Sequence, residues 1–300
     1  MESNSSIYDF LEHIVKKYNR RDYLDTDPVS IVHKIKGEKS RETAAFISSV
    51  FAFGNVKTIK ASILKVLHPM GNNVYDFIKH YEKLQHESLP CEIEKEAKIN
   101  VISRGLLNSK KSQRSKLYLF QGIGHRFIKG NDISCLVNTL HFVLKEYGSI
   151  ENLFMQYFTK ENNLRKSLEV FTKNIREIYS RNNSDFCERT LRFMLPSPEK
   201  GSACKRMNLF LRWMVRKDEI DLGIWKGIKK NELIIPLDTH IARISKSLGF
   251  TKRKTLGWNM ASEITENLKK FDPLDPLKYD FALTRIGMLK SRIEFLQINQ

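Results

Sequence analysis

The four cysteines form no Cys-x-x-Cys pair and no cluster in the sequence. Cys91, Cys135, Cys187 and Cys204 are widely spaced, and without a Cys-x-x-Cys pair neither structural zinc nor an iron–sulfur cluster is expected. The eight histidines show no His-x-x-x-His or His-Glu-x-x-His spacing, which removes the usual ground for a metal hydrolase. No apolar run approaches the ~18–20 residues of a membrane span. The N-terminal "MESNSSIYDFLEHIVKKY" lacks the basic-then-apolar order of a secretory signal. Runs that alternate apolar and polar residues are missing as well, apart from the short "SKLYLF". The expectation is a reduced, cytoplasmic protein, nucleoid-associated in a prokaryote, with no metal, no cofactor and no membrane partner.

The chain is also short of acid. Lys+Arg number 51 against 34 Asp+Glu, a formal charge of +17. Charge of that size repels itself in the compact state and is ordinarily kept where a polyanion relieves it. Nucleic acid is the first such partner and an anionic membrane surface the second; a lysine-rich proteome is the plain alternative. At 300 residues and 41% apolar, the chain can build one large domain or two lobes with a substantial core.

What is present is helical period nearly throughout. Ser40 to Phe53 carries Ala45, Phe46, Val50 and Phe53 on one face and stops at Gly54-Asn55. Asp132 to Gly148 opens on an Asp N-cap, repeats Leu136, Leu140, Val143 and Leu144, and ends on glycine. An all-α protein follows. Residues 82–118 are polar and charge-dense with weak periodicity, which suits a linker, an exposed basic insertion or a solvated helix pair.

The chemistry concentrates in "LPSPEKGSACKRMN" and, some thirty residues on, "ELIIPLDTHIARI". Pro196, Pro198 and Gly201 force a turn that opens on Lys205 into an amphipathic helix. Met207, Phe210, Leu211 and Met214 form its core stripe, and Lys205, Leu209, Arg212 and Arg216 share the other, basic side. The first N–H groups of such a helix have no partner within it, and with the helix dipole they suit a phosphate. In the second stretch Asp238 begins a helix whose stripe is Ile241, Ile244 and Leu248. Taken singly, Asp238 reads as a structural N-cap; what raises it is its pairing with the lysine turn.

"GSACKRMN" followed by "IIPLDTHIARISKSLG" resembles the helix-hairpin-helix DNA glycosylase superfamily of endonuclease III and the 8-oxoguanine glycosylases. The longer gap between lysine and aspartate is similar to the archaeal GO glycosylase branch and, more closely, to a bacterial family of this length related to it. The match is firm over about residues 190–290. It implies a two-lobed helix-hairpin-helix fold: a terminal lobe of residues 1–38 plus 238–300, and a central lobe of 39–237 ending in the hairpin. Lys205 falls on the family's nucleophile and Asp238 on its catalytic aspartate. Asp280, in "KYDFALTRIGM", falls on the branch's base-pocket aspartate. The position where that branch stacks an aromatic on the base falls at Leu209, beside Phe210. Asn55 lies about where relatives insert a polar wedge, or else it is a C-cap after Gly54. Gly201, Ser202, Ala203, Arg206 and Arg212 would grip the DNA backbone; Ala203 stands where that hairpin has its second glycine. The four-cysteine cluster of endonuclease III is absent.

The activity so implied is a bifunctional glycosylase/lyase, acting as a monomer on double-stranded DNA that contains a damaged base, with 8-oxoguanine the leading substrate. The alternative is a non-catalytic nucleic-acid-binding module of the same fold. The chemistry explains the residue types. A base must be extruded from the duplex before an enzyme can reach it, and bond cleavage builds positive charge on the sugar that a fixed carboxylate stabilises. A neutral lysine can attack the anomeric carbon and form a Schiff base; burial and the cations Arg206 and Arg212 would favour its neutral form. Elsewhere, "QGIGHRF" reads as an ordinary turn with surface side chains or as one that brings His125 or Arg126 to DNA, Asp275-Pro276 as a helix start, and Thr251 to Lys254 as a phosphate contact.

Overall fold

The computed structural model describes residues 2–81, 119–183 and 187–289. The charge-dense segment 82–118, with Cys91 and most of "SKLYLF", lies outside the described residues, as do residues 290–300. Among the described residues there is no strand, and only two isolated bridges, His125 with Ile128 and Lys217 with Leu222, pair extended backbone. None of the helices among them is long and apolar enough to cross a membrane.

The helices run α1 (Glu2–Tyr18), α2 (Val29–His33), α3 (Glu38–Val50), α4 (Val56–Leu67), α5 (Val74–Lys79), α6 (Gly130–Tyr147), α7 (Ile150–Glu161), α8 (Leu164–Asn182), α9 (Glu188–Met194), α10 (Lys205–Val215), α11 (Thr239–Ser247), α12 (Trp258–Lys269) and α13 (Asp280–Leu289). Their ends follow capping chemistry. Ser149 and Asn163 accept from Asn152 N and Lys166 N at the starts of α7 and α8. Gly148, left-handed at φ 77°, closes α6. Asp132 is one turn inside α6 rather than at its N-cap: Lys129 holds the cap position and donates its backbone N–H to the Asp132 carboxylate at 2.8 Å. Asn55 caps the start of α4, accepting from Lys57 N at 2.9 Å, so it opens a helix where the sequence allowed it to end one.

Buried apolar side chains form two clusters. The first spans Val29 to Leu233, with Trp258, Leu277 and Phe281. At its centre edge-on aromatic pairs join Phe46 to Phe210 and Phe210 to Trp225 at ring separations of 5.2 and 5.3 Å. Glu42 is sealed there because three donors satisfy it: Trp225 Nε1 and the N–H groups of Ile150 and Glu151. The second cluster joins α1 to α11, α12 and α13, through Leu11, Ile14, Leu237, Ile241, Ile264 and Leu283 among others. Lys205 opens α10, whose apolar side chains belong to the first cluster; Asp238 stands between Leu237 and Ile241 of the second. The seam between clusters therefore brings the lysine helix and the aspartate helix face to face.

Candidate functional site

The turn before α10 is held from both sides. Pro198–Lys200 forms one 3-10 turn, Gly201 is left-handed at φ 79°, and Cys204 adopts the same region at φ 48° as N-cap of α10. Only three non-glycine residues among those described have positive φ, and Ala203 is not one of them. The unusual backbone falls one residue later than the glycine position of the hairpin it resembles, so alanine there carries no conformational penalty. Trp258 N donates to Gly201 O at 2.9 Å, and a Cβ on Gly257 would stand 2.8 Å from that oxygen; only glycine lets the two segments meet. Cys204 is buried, which pushes its thiol up to about 12 and makes it inert at neutral pH. Its side chain makes no capping bond.

Lys205 Nζ donates to Asp238 Oδ2 at 2.9 Å, with the two side chains 37% and 18% exposed. The other oxygen of Asp238 does separate work. Oδ1 accepts from His240 N and Ile241 N, both at 2.9 Å, and caps α11. The cap and the ion pair are thus compatible roles of one carboxylate. Burial pushes the Asp238 carboxyl up, but the Lys205 ammonium and the Ile241 amide outweigh it and hold the group below the usual carboxylate range.

Behind the pair lies a cleft of about 110 Å³. Lys205, Leu209, Arg212, Asp238 and Asp280 all line it, as do Gly54 and Arg285. Asp280 is buried, and loss of hydration raises its carboxyl despite the neighbouring Arg212. Two carboxylates of one cleft are thereby moved in opposite directions. A larger groove of about 670 Å³, between α8 and α9, is lined by Lys173, Arg176, Glu177, Arg181, Glu188 and Arg192 among others; its lysine–carboxylate pair, Lys173 with Glu177, is an exposed 4.0 Å contact between neighbouring turns of α8, whereas Lys205 and Asp238 meet more closely and less exposed.

Several expected site residues lie elsewhere. The basic side of α10 is not a surface. Arg212 donates Nε to Asp221 Oδ1 at 3.2 Å and Nη1 to Asp280. Arg216 donates to Asp221, and to Asp275 Oδ1 at 2.7 Å. Both arginines are 2% exposed and cannot meet DNA phosphates. Asp275 spends its carboxylate on Arg216 instead of capping the turn at Pro276. Arg206 is buried too, stacked 3.8 Å from the centre of the Phe193 ring and donating to the carbonyls of Val50 and Phe193; burial pulls its guanidinium down to about 10. Phe210 is core and does not line the cleft, while Asn55 is exposed at its helix cap. His125 is buried, with its ring nitrogens on Phe53 O and Ser62 Oγ. Ser202 Oγ accepts from Cys204 N at 3.2 Å.

The cleft also contains residues that sequence reasoning passed over. Asp27, Thr26 and Arg285 line it; Arg285 donates to Thr26 O at 2.6 Å and lies 3.6 Å from the Asp27 carboxylate. Asp221 joins Arg212 to Arg216. The "DEIDLG" that follows α10 offered the one legible signal, a cluster of acid just after a basic helix. Among the described residues no three His, Cys, Asp or Glu side chains group as metal ligands would.

A family model described as "Protein of unknown function (DUF2400)" matches residues 27–93 and 93–289. The chain belongs to that family. No curated protein and no solved structure matches it. The family match takes in every residue lining the cleft except Thr26, which lies just before it.

Proposed function

We propose that the chain is a DNA glycosylase/AP lyase of the helix-hairpin-helix type that excises an oxidised purine, with 8-oxoguanine as the leading substrate. One observation carries this reading: Lys205 Nζ and Asp238 Oδ2 meet at 2.9 Å at the mouth of a cleft whose buried end is Asp280. The two apolar clusters, with the pair on their seam, support a two-lobed arrangement.

In the proposed reaction the Lys205 ammonium passes its proton to Asp238 Oδ2, and the freed lone pair attacks the anomeric carbon. The bond to the base breaks, and its electron pair leaves with the base, which takes up the proton. Asp238, ionised once more, stabilises the positive charge of the sugar. The nitrogen then gives a proton to the ring oxygen as the C1′–O4′ bond breaks, which opens the sugar to a Schiff base; this acidifies the neighbouring sugar carbon, loss of that proton expels the 3′ phosphate, and hydrolysis returns the lysine. The cleft is smaller than the ~300 Å³ of an ordinary ligand pocket, so an extruded base would enter alone, without its sugar. Cations for the DNA backbone are then sought beside the hairpin, in the exposed Lys200, Lys252 and Lys254.

Borohydride trapping on duplex DNA containing 8-oxoguanine tests the proposal. A covalent adduct with the wild-type protein, absent in Lys205→Gln, is expected. Salt-dependent DNA binding without any adduct would leave a non-catalytic nucleic-acid-binding module.

A further inference from the structure

The buried end of the cleft holds an ion pair that uses part of its hydrogen-bonding capacity. Arg212 gives Nε to Asp221 and Nη1 to Asp280 Oδ2. Its Nη2, and the second Asp280 oxygen Oδ1, are buried without a partner, and both residues line the cleft. Guanidinium and carboxylate often meet fork to fork, which consumes both pairs of atoms. Here they meet through one atom each, leaving one N–H donor and one acceptor oxygen. Buried polar atoms are nearly always satisfied, so each exception calls for a reason. The lining as a whole balances three cations, Lys205, Arg212 and Arg285, against three anions, Asp27, Asp238 and Asp280.

We infer that Arg212 is a specificity-determining residue: with Asp280 it reads the Watson–Crick lactam edge of an extruded purine, the C6 carbonyl beside the N1–H. Arg212 Nη2 donates to the carbonyl oxygen and Asp280 Oδ1 accepts from the N–H. The inference rests on the glycosylase reading above and narrows its substrates to neutral bases with a guanine-like or hypoxanthine-like edge. An adenine-like edge is excluded because its amino group would face the guanidinium and its ring lone pair the carboxylate. The balanced charge likewise gives no advantage to a cationic, alkylated base.

Three duplexes test this, carrying 8-oxoguanine, 8-oxoadenine or an abasic site. The two lesions share the C8 carbonyl and the N7–H and differ on the edge in question, at C6 and N1. Wild-type protein is expected to excise 8-oxoguanine at least about tenfold faster, the discrimination a good hydrogen-bonded pair supplies, and Lys205→Gln is expected to bind that duplex more tightly by a similar factor. Arg212→Lys, which keeps the charge and loses the forked donors, should bring the ratio toward one. Equal excision of both lesions by the wild-type protein overturns the inference and leaves the lysine chemistry standing, as does trapping at the abasic site alone. No trapping on any duplex overturns the glycosylase reading and this inference together. The decisive contrast is made on the wild-type protein, so it holds whether or not Arg212→Lys folds.

Discussion

Helix α10 and its C-cap residue Arg216 carry two kinds of ion pair within twelve residues. At its first residue, Lys205 meets Asp238 with both side chains partly open to solvent. Two and three turns on, Arg212 and Arg216 meet Asp221, Asp275 and Asp280, with the arginines almost fully enclosed. The same attraction serves two ends. An open pair loses little when its partners separate, so the lysine is free to act on something else. A sealed network cannot open without stranding charge in a low dielectric, so it fixes where α10, the segment after it and α13 sit.

The contrast breaks most visibly at Lys205. Lys205→Gln is expected to lose borohydride trapping entirely while stability moves by less than about 1 kcal/mol, the range of partly exposed pairs; retained trapping would move the nucleophile elsewhere. Asp221→Ala should do the reverse and cost roughly 3–5 kcal/mol in denaturant unfolding, because Arg212 and Arg216 lose their shared counter-ion. If it proves as mild as Lys205→Gln, the sealed network is not structural. Asp238→Asn sharpens the comparison within one residue. Asparagine caps as well as aspartate and retains an oxygen for His240 N and Ile241 N; stability should hold while excision falls by about 10²–10³. Full excision with Asn would reduce Asp238 to a cap.

Acid should separate the two carboxylates. Asp280 is raised above the usual carboxylate range and Asp238 held below it, so as pH falls Asp280 takes up its proton first. The Asp238 contribution, present above its unfolded value, is lost only as pH drops through its lowered one. Discrimination between lesions should therefore degrade at a higher pH than trapping at an abasic site; the opposite order would show that the shifts do not govern the reaction. The smallest effect concerns the loop packed on the hairpin. Lys252→Ala and Lys254→Ala should each lower the slope of log affinity against log salt by about 0.9, and an unchanged slope would remove that loop from the DNA footprint.

Much of this was legible in order of appearance. The apolar stripe Met207, Phe210, Leu211 and Met214 is buried as its spacing required, and Leu136, Leu140, Val143 and Leu144 likewise. Lys205 at a helix start and Asp238 at another were both visible because capping and turn chemistry are local. The basic side of α10 was misleading for a definite reason. An amphipathic pattern assigns charge to solvent by default, and nothing local to Arg212 reveals that Asp280, 68 residues away, will arrive beside it.

Sequence by itself determined the helical character, the apolar stripes, the basic balance and the helix starts at Lys205 and Asp238, because each depends on neighbours within a turn or two. Tertiary structure alone decided which charges remain available. Arg206 and Arg216 became buried architecture, Arg212 kept one unpartnered donor in the lining of the cleft and Lys205 stayed reachable, because burial depends on how the two apolar clusters close around the seam, and long-range packing fixes the dielectric in which each charge must live.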